Sequence, residues 1–343
     1  GEVLELEMSA KEEGDKGTIA DEPAKKKART DGGAESASAS AAASSPAKRS
    51  GPLALTFLTW NIDVEDTDRE ERQRALVALI RKEQPDIVFL QEVTPLRAIQ
   101  LSAPGGEHYL GDEYHVLVPQ HPSGREVDPL NVTLVLKRSL NVIGGSPDTH
   151  WYRRGQIGKR GDEKLRRLCH VRVRPVDGAS GDTELLLCNT HLDSGHRSNN
   201  NQFRREQLRD AGRTIIKLLD DRSSSPDLGS LIMAEDLNIR DEELSELPSG
   251  RLSDVYSLLG CPGDCGNTYV PSDNVNIQHW MRKEGIKNKL PPHRFDRVYV
   301  ASRGGCQQAL RPERMQLVGR EKLPSGRHVS DHWGVMVRFK WGY

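Results

Sequence analysis

The chain reads as an α/β protein. Three observations predict this. An apolar run from Leu53 to Trp60, a helical pattern at Leu76, Leu79 and Ile80, and a second apolar run Ile87-Val-Phe-Leu90 form one strand–helix–strand unit. The second half repeats the pattern. Glu184–Asn189 reads as a strand, about Asn201 to Asp220 as a long amphipathic helix, and Leu231-Ile-Met-Ala234 as the next strand. Finally, the buried runs end in polar residues, as strands do when side chains converge at one edge of a sheet.

Taken in order, the first strand ends at Asn61-Ile62-Asp63, and acids from Asp66 to Glu71 open a helix at the end its dipole favours. Pro85-Asp86 closes that unit, and the second strand runs straight into Gln91-Glu92. Further strands are expected near Tyr114–Val118, Thr133–Lys137 and Cys169–Arg174, then at Phe295–Ala301, Met315–Gly319 and Trp333–Phe339. Residues 260–293, rich in Gly, Pro and Asn, read as a long ordered loop, which in a compact domain signals function.

Composition divides the 343 residues into a tail, 1–50, and one domain, 51–343. The tail has few aromatic or β-branched side chains and runs into Ala-Ser repeats, so it cannot bury enough apolar surface to offset its ordering entropy. Its Pro23-Ala-Lys-Lys-Lys-Ala-Arg29 is compatible with nuclear import, giving the nucleus as the expected location, with the cytoplasm as a second compartment. Formal net charge is −1; the tail holds eight Lys/Arg against ten Asp/Glu, which leaves the body at +1. Any nucleic-acid partner must therefore be held by a local patch. Five irregularly spaced cysteines favour free thiols in a reducing compartment, and no apolar run is long enough for a membrane span. Cys261-Pro-Gly-Asp-Cys265 lacks the second ligand pair that a structural zinc site requires.

Taken singly, a Glu after a strand is usually a surface carboxylate. The joint pattern is what carries information: Thr59-Trp-Asn-Ile-Asp63, Leu90-Gln-Glu-Val93, Thr190-His-Leu-Asp-Ser194, Asp236-x-Asn-x-Arg-Asp241, Arg294-Phe-Asp-Arg297 and Ser330-Asp-His-Trp-Gly334. With these segments the chain resembles the endonuclease/exonuclease/phosphatase superfamily over about residues 53–340. Arg-Phe-Asp-Arg and Asp-His-Trp-Gly favour the branch that clears tyrosyl adducts from DNA 5′ ends. The resemblance implies a four-layer αββα sandwich of two mixed sheets flanked by helices. It further implies one catalytic Mg²⁺, with Mn²⁺ as a substitute, and hydrolysis of the bond between a tyrosine oxygen and a DNA 5′-phosphate. The implied partners are DNA 5′ ends bearing a tyrosyl or peptide adduct left by type II topoisomerases. No membrane is involved, and the expected state is a monomer.

Mg²⁺ takes hard oxygen ligands and keeps waters. Glu92 is accordingly assigned as the main metal ligand, with Asn61 positioning metal or water. Asp236 would orient or deprotonate the attacking water, Asn238 would hold a phosphate oxygen, and His191 and His332 would donate hydrogen bonds to oxygens gaining charge. Asp331 would fix the tautomer of His332 or join the metal's outer shell. Asp296 would brace the surrounding loops. On the substrate side, Tyr269 stands where the family carries a base-packing tryptophan, and Arg297, His196 and Arg240 are phosphate-contact candidates. Nine Lys/Arg against two acids between Arg153 and Arg174 form a basic stretch able to track a phosphate backbone.

Two departures stand out. Ala234-Glu235 stands before Asp236 where the resembled family usually has glycines, and strand alternation should turn Glu235 away from the metal. Val64 replaces a glycine after Trp-Asn-Ile-Asp. Alternative readings are another superfamily activity (an abasic-site endonuclease, an RNA deadenylase or a lipid-headgroup phosphatase) or a non-catalytic nucleic-acid-binding module.

Overall fold

A computed structural model describes residues 53–65, 67–120, 129–152, 166–176, 183–194, 198–248, 250–304 and 310–342. The tail, its basic run, His196 and residues 153–165 of the basic stretch lie outside the described residues.

Leu53–Asn61 (β1), Arg69–Glu83 (α1) and Ile87–Val93 (β2) form the first unit; β1 and β2 are parallel, with Asn61 beside Gln91. Pro95–Ser102 (α2), Tyr114–Leu117 (β3) and Leu130–Leu136 (β4) follow. Leu140–Trp151 (β5) and Arg167–Pro175 (β6) lead to the second unit: Glu184–His191 (β7), Ser198–Asp220 (α3) and Leu228–Asp236 (β8). β7 and β8 are also parallel, with His191 beside Asp236. The chain ends with Ser253–Asp254 (β9), Val255–Leu258 (α4), Val275–Lys283 (α5), Asp296–Ser302 (β10), Arg311–Val318 (β11) and Gly334–Trp341 (β12).

Two six-stranded mixed sheets result, in the orders β11-β12-β1-β2-β4-β3 and β9-β10-β8-β7-β6-β5. Each central strand is buried on both faces, which explains why these segments read as continuous apolar runs rather than alternating ones. Leu55, Phe57, Phe89 and Val337 of one sheet meet Val173, Leu187, Ile232 and Val298 of the other in a shared core. Phe57 packs edge-on to Phe89 at 5.0 Å and 87°. The outer face of the first sheet (Leu58, Trp60, Leu90, Val132) is covered by Leu76 and Ile80 of α1 and by Ala98 and Leu101 of α2. That of the second (Leu186, Leu231, Met233) is covered by Leu208, Ile215 and Leu219 of α3. These are the four layers αββα.

The expected loop at 260–293 contains α5, which sequence reading missed. Its N-cap Asn274 is fully buried, and the side chain accepts from the Asn276 N–H at 2.9 Å, so the cap is made by a residue that also reads as turn chemistry.

Candidate active site

Both parallel strand pairs open at the same edge of the sandwich, and a buried amide couples the sheets beneath it: Gln91 Nε2 donates to Asn189 Oδ1 at 3.0 Å. Above this floor lies a cleft of about 540 Å³ lined by Asp63, Glu92, Asp236, Asn238, Asp331 and His332 at one end.

Glu92 reaches it because the β2–β4 ladder slips between Leu90 and Val93, leaving Glu92 at φ 57. A bulge re-aims the side chain out of the strand's alternation. Its Oε1 accepts from Asn61 Nδ2 at 3.3 Å, and its Oε2 from the Val64 N–H at 3.1 Å. Asn61 Nδ2 also donates to Asp236 Oδ2 at 2.9 Å, while its Oδ1 accepts from the Asp63 N–H at 2.9 Å. Its nitrogen faces the acids and spaces the two carboxylates, while its oxygen keeps a second lone pair. Asp63, Glu92 and Asn238 all sit at positive φ, 55, 57 and 53 respectively. Such conformations cost non-glycine residues energy and gather at functional sites.

Asp236 Oδ1 accepts from the Asn238 N–H at 3.0 Å, so each oxygen is tied once and keeps a lone pair for water. Burial lifts its pKa to about 6; repulsion from Asp296 and Glu92 adds to the rise, which His332 and the Asn61 bond oppose. His191 Nδ1 lies 2.8 Å from Arg166 Nη1. A guanidinium can only donate, so the imidazole proton is placed on Nε2, 3.5 Å from Asp236 Oδ2 and 3.7 Å from Glu92 Oε1. Asn238 Nδ2 stands 3.2 Å from the same Nε2. Arg166 is itself held by fully buried Asp193 at 3.3 Å. The sequence placed Arg166 only in the basic stretch and gave Asp193 no role of its own, because their contact joins the start of β6 to the β7 end, apart in the chain.

His332 is oriented by Asp296, whose Oδ2 is 2.7 Å from Nδ1. Asp296 thus braces the site's loops as expected, and it is Asp296, in place of Asp331, that fixes the ring's tautomer. Burial works against a charged His332, but Asp296, Asp236 and Asp331 outweigh it and hold the ring's pKa well above its ordinary value. The ring is thus an imidazolium, with Nε2 3.9 Å from Asp236 Oδ2. Asp331 lines the cleft, where burial first and then Asp63 raise its pKa to about 8. Backbone placement of His332 is secured twice. Trp60 Nε1 donates to its carbonyl at 2.9 Å, and its N–H donates to Ser330 Oγ at 3.1 Å. The indole packs where Gly334 leaves room, since an added Cβ there would lie 2.9 Å from the Trp60 ring.

Tyr269 lines the cleft beside His332 at 5.2 Å and Phe295 at 5.5 Å, and Arg240 forms part of the same wall. Arg297 does not. It is 1% exposed and tied to Asp241 Oδ1 at 2.7 Å and the Arg294 carbonyl at 3.1 Å, which corrects its expected phosphate contact. The described part of the basic stretch is also engaged internally. Arg166 and Arg167 are buried, and Arg172 and Arg174 pair with Glu184 at 3.1 and 3.2 Å.

Glu235 does face away, sharing its sheet face with Arg297 across the ladder, near Tyr152, Cys188 and Tyr299. It is fully buried with neither carboxylate oxygen hydrogen-bonded, and burial, aided by Asp236, pushes its pKa well up. A raised carboxyl pKa means the native state holds a proton the unfolded chain releases. Stability is then lost as pH climbs above the unfolded value near 4.3. Glu235→Gln should therefore stabilise the protein more at pH 8 than at pH 5, by at most ~1.4 kcal/mol per pH unit. Urea unfolding at the two pH values checks this, and an equal effect at both would contradict it.

Acids crowd this mouth, and Asp236 and Asp331 have raised pKa values, chiefly through burial and then through repulsion from neighbouring carboxylates. Glu92, Asp63 and Asp331 line the cleft and offer hard carboxylate oxygens there. The donor set fits a hard divalent cation.

Two stacked mixed sheets, with acids, amides and histidines gathered at the carboxyl ends of their parallel strands, define an α/β sandwich equipped for phosphate esters. The chain belongs to the Endonuclease/Exonuclease/phosphatase family, whose model matches residues 58–332. Among curated proteins it is similar to Tyrosyl-DNA phosphodiesterase 2 of Gallus gallus, 30% identical over 83% of this chain and 66% of the relative, and to that of Homo sapiens, 28% identical over 82% and 67%. The chain spans about two thirds of the length of these relatives. Among solved structures it resembles D. rerio TDP2 complexed with single strand DNA product, with a TM-score of 0.62 and 26% identity over 83% of this chain and 98% of the other. The human Nocturnin catalytic domain, 18% identical with a TM-score of 0.55 over 85% and 94%, shares the fold.

Proposed function

We propose that the protein is a Mg²⁺-dependent phosphodiesterase that hydrolyses 5′-phosphotyrosyl DNA, the adduct left by stalled type II topoisomerases, and releases a 5′-phosphate end. One observation carries this reading: Glu92, Asp236, Asn238 and His332 line a single cleft, and His191 Nε2 lies 3.5 Å from Asp236 Oδ2 and 3.7 Å from Glu92 Oε1. The similarity to Tyrosyl-DNA phosphodiesterase 2 supports the choice of substrate. The proposed setting is the nucleus, with the cytoplasm second, and the proposed state is a monomer.

Glu92 and the neighbouring acids would hold Mg²⁺ (or Mn²⁺), which supplies positive charge at the phosphate. Asp236, positioned by Asn61 and the Asn238 N–H, takes the proton of the attacking water. With a pKa near 6 it is ionised at neutral pH yet basic enough to accept a proton. The imidazolium of His332, the Nε2–H of His191 and the Asn238 amide donate to phosphate oxygens as charge develops. The leaving phenol has a pKa of about 10 and departs with little acid assistance.

Turnover of a 5′-phosphotyrosyl oligonucleotide, an abasic duplex and oligo-A RNA, each with Mg²⁺, tests the substrate. The tyrosyl oligonucleotide should have the highest kcat/KM. Preference for either of the others would replace this reading with the corresponding superfamily activity.

A further inference from the structure

Behind the acids of the cleft stands a residue to which the sequence gave no role. Arg72, one turn into α1, is 3% exposed, and each nitrogen of its guanidinium donates to a loop at the active-site mouth. Nε donates to the Val329 carbonyl at 2.8 Å, just ahead of Ser330-Asp331-His332. Nη1 donates to the Glu65 carbonyl at 2.9 Å, and Nη2 to the Ile62 carbonyl at 3.1 Å and to Asp63 Oδ2 at 2.9 Å. One side chain thus joins the loop that leaves β1 to the loop that enters β12. The same end of the helix repeats the link nearer the surface. Glu71 Oε1 accepts from the Ser325 N–H at 3.2 Å, and Asp68 Oδ2 lies 3.6 Å from Arg327 Nε.

Asp63 receives the rest of the support. Arg97 of α2, also buried, donates from Nη1 to the Asp63 carbonyl at 2.9 Å. The Asp63 N–H goes to Asn61 Oδ1, and its Oδ1 accepts from the Glu65 N–H at 3.0 Å. Every polar group of Asp63 is therefore engaged, and a non-glycine residue stays at φ 55 only when its surroundings over-determine it. In that conformation Asp63 lines the cleft, and the next N–H, that of Val64, holds Glu92 Oε2 at 3.1 Å. Taking a guanidinium out of water is costly, and its pairing with Asp63 offsets that cost.

We propose that Arg72 is a positioning residue for the divalent cation. It fixes the Asp63 carboxylate in the cleft and keeps the loop that carries it aligned with the loop that carries Asp331 and His332. The proposal deepens the phosphodiesterase reading and rests on its cation. Arg72 lies behind the loops and acts through Asp63.

Titration of the full chain with Mn²⁺ alone, followed by electron paramagnetic resonance, tests this without turnover. Arg72→Lys keeps the charge, but one compact ammonium cannot replace a fork that spans two loops. It should weaken Mn²⁺ binding roughly tenfold, the low end of the range for lost support behind a metal ligand. Arg72→Gln removes the buried charge together with its need for a counter-ion, carries the same expectation, and covers the case in which Arg72→Lys does not fold. Asp63→Asn should weaken binding about as much. Combined with either arginine variant it should still give a loss of about tenfold, where independent sites would give about a hundredfold. Losses that multiply would overturn the proposal. So would wild-type Mn²⁺ affinity in a folded Arg72 variant whose melting temperature alone has fallen, which would make the residue purely structural. Wild-type protein that binds Mn²⁺ yet leaves the 5′-phosphotyrosyl oligonucleotide intact would instead remove the substrate reading, with the binding cycle still deciding on Arg72.

Discussion

Asp236→Asn should lower kcat on a 5′-phosphotyrosyl oligonucleotide by roughly two to four orders of magnitude, the usual range for losing a positioned general base. Binding of the 5′-phosphorylated product should change little. The amide keeps the volume, but only one of its two polar atoms can accept. Asn61 Nδ2 and the Asn238 N–H both donate to the present carboxylate, at 2.9 and 3.0 Å, so one of them is left facing an N–H and no basic lone pair remains for water. Turnover within a few-fold of wild type would take Asp236 out of the mechanism.

Asp296→Asn should come next, lowering kcat by roughly 10²–10³, the range for removing a charged donor to a developing oxyanion. The 2.7 Å contact to His332 Nδ1 can persist through the amide oxygen, so the ring stays in place. What goes is the charge that outweighs burial and keeps the imidazolium protonated. The sign follows from the direction of that shift. A histidine with a raised pKa holds its proton until high pH, and lowering the pKa moves deprotonation downward. The alkaline limb of the kcat profile should therefore shift to lower pH, and the variant should be less impaired at pH 6 than at pH 8. A uniform loss at all pH values would mean that Asp296 serves only to pack the ring. Changing Asp331 to Asn should move that limb less, since Asp331 supports the charged ring only through space and does not bond it.

Most of the architecture was legible because the core strands are buried on both faces and advertise themselves as unbroken apolar runs. The polar residues terminating them pointed to one edge of the sandwich, and Asn61, Glu92, His191, Asp236, Asn238, Asp331 and His332 do meet there. What escaped is the wiring between them. The Asp296–His332 contact spans 36 residues and joins the start of β10 to a loop, a pairing that no local periodicity encodes. Arg166 and Asp193 likewise meet only through the sheet. Arg297 was misjudged for a related reason: alternation along β10 sends it to the face opposite Asp296, against Asp241, whereas an arginine beside an active-site acid suggests a phosphate ligand when read in one dimension. For α2, the Thr94-Pro95 pair was an available signal. Thr94 Oγ1 accepts from the Arg97 N–H at 3.3 Å, with proline at the first helical turn.

A crystal structure with Mn²⁺ and a short 5′-phosphorylated single strand tests the central claim most directly. The account predicts an anomalous peak at the Glu92 carboxylate and the terminal phosphate within hydrogen-bond reach of His191, Asn238 and His332. A phosphate seated instead among Tyr256, Arg294 and Arg297, in the neighbouring cleft of about 490 Å³, would contradict it.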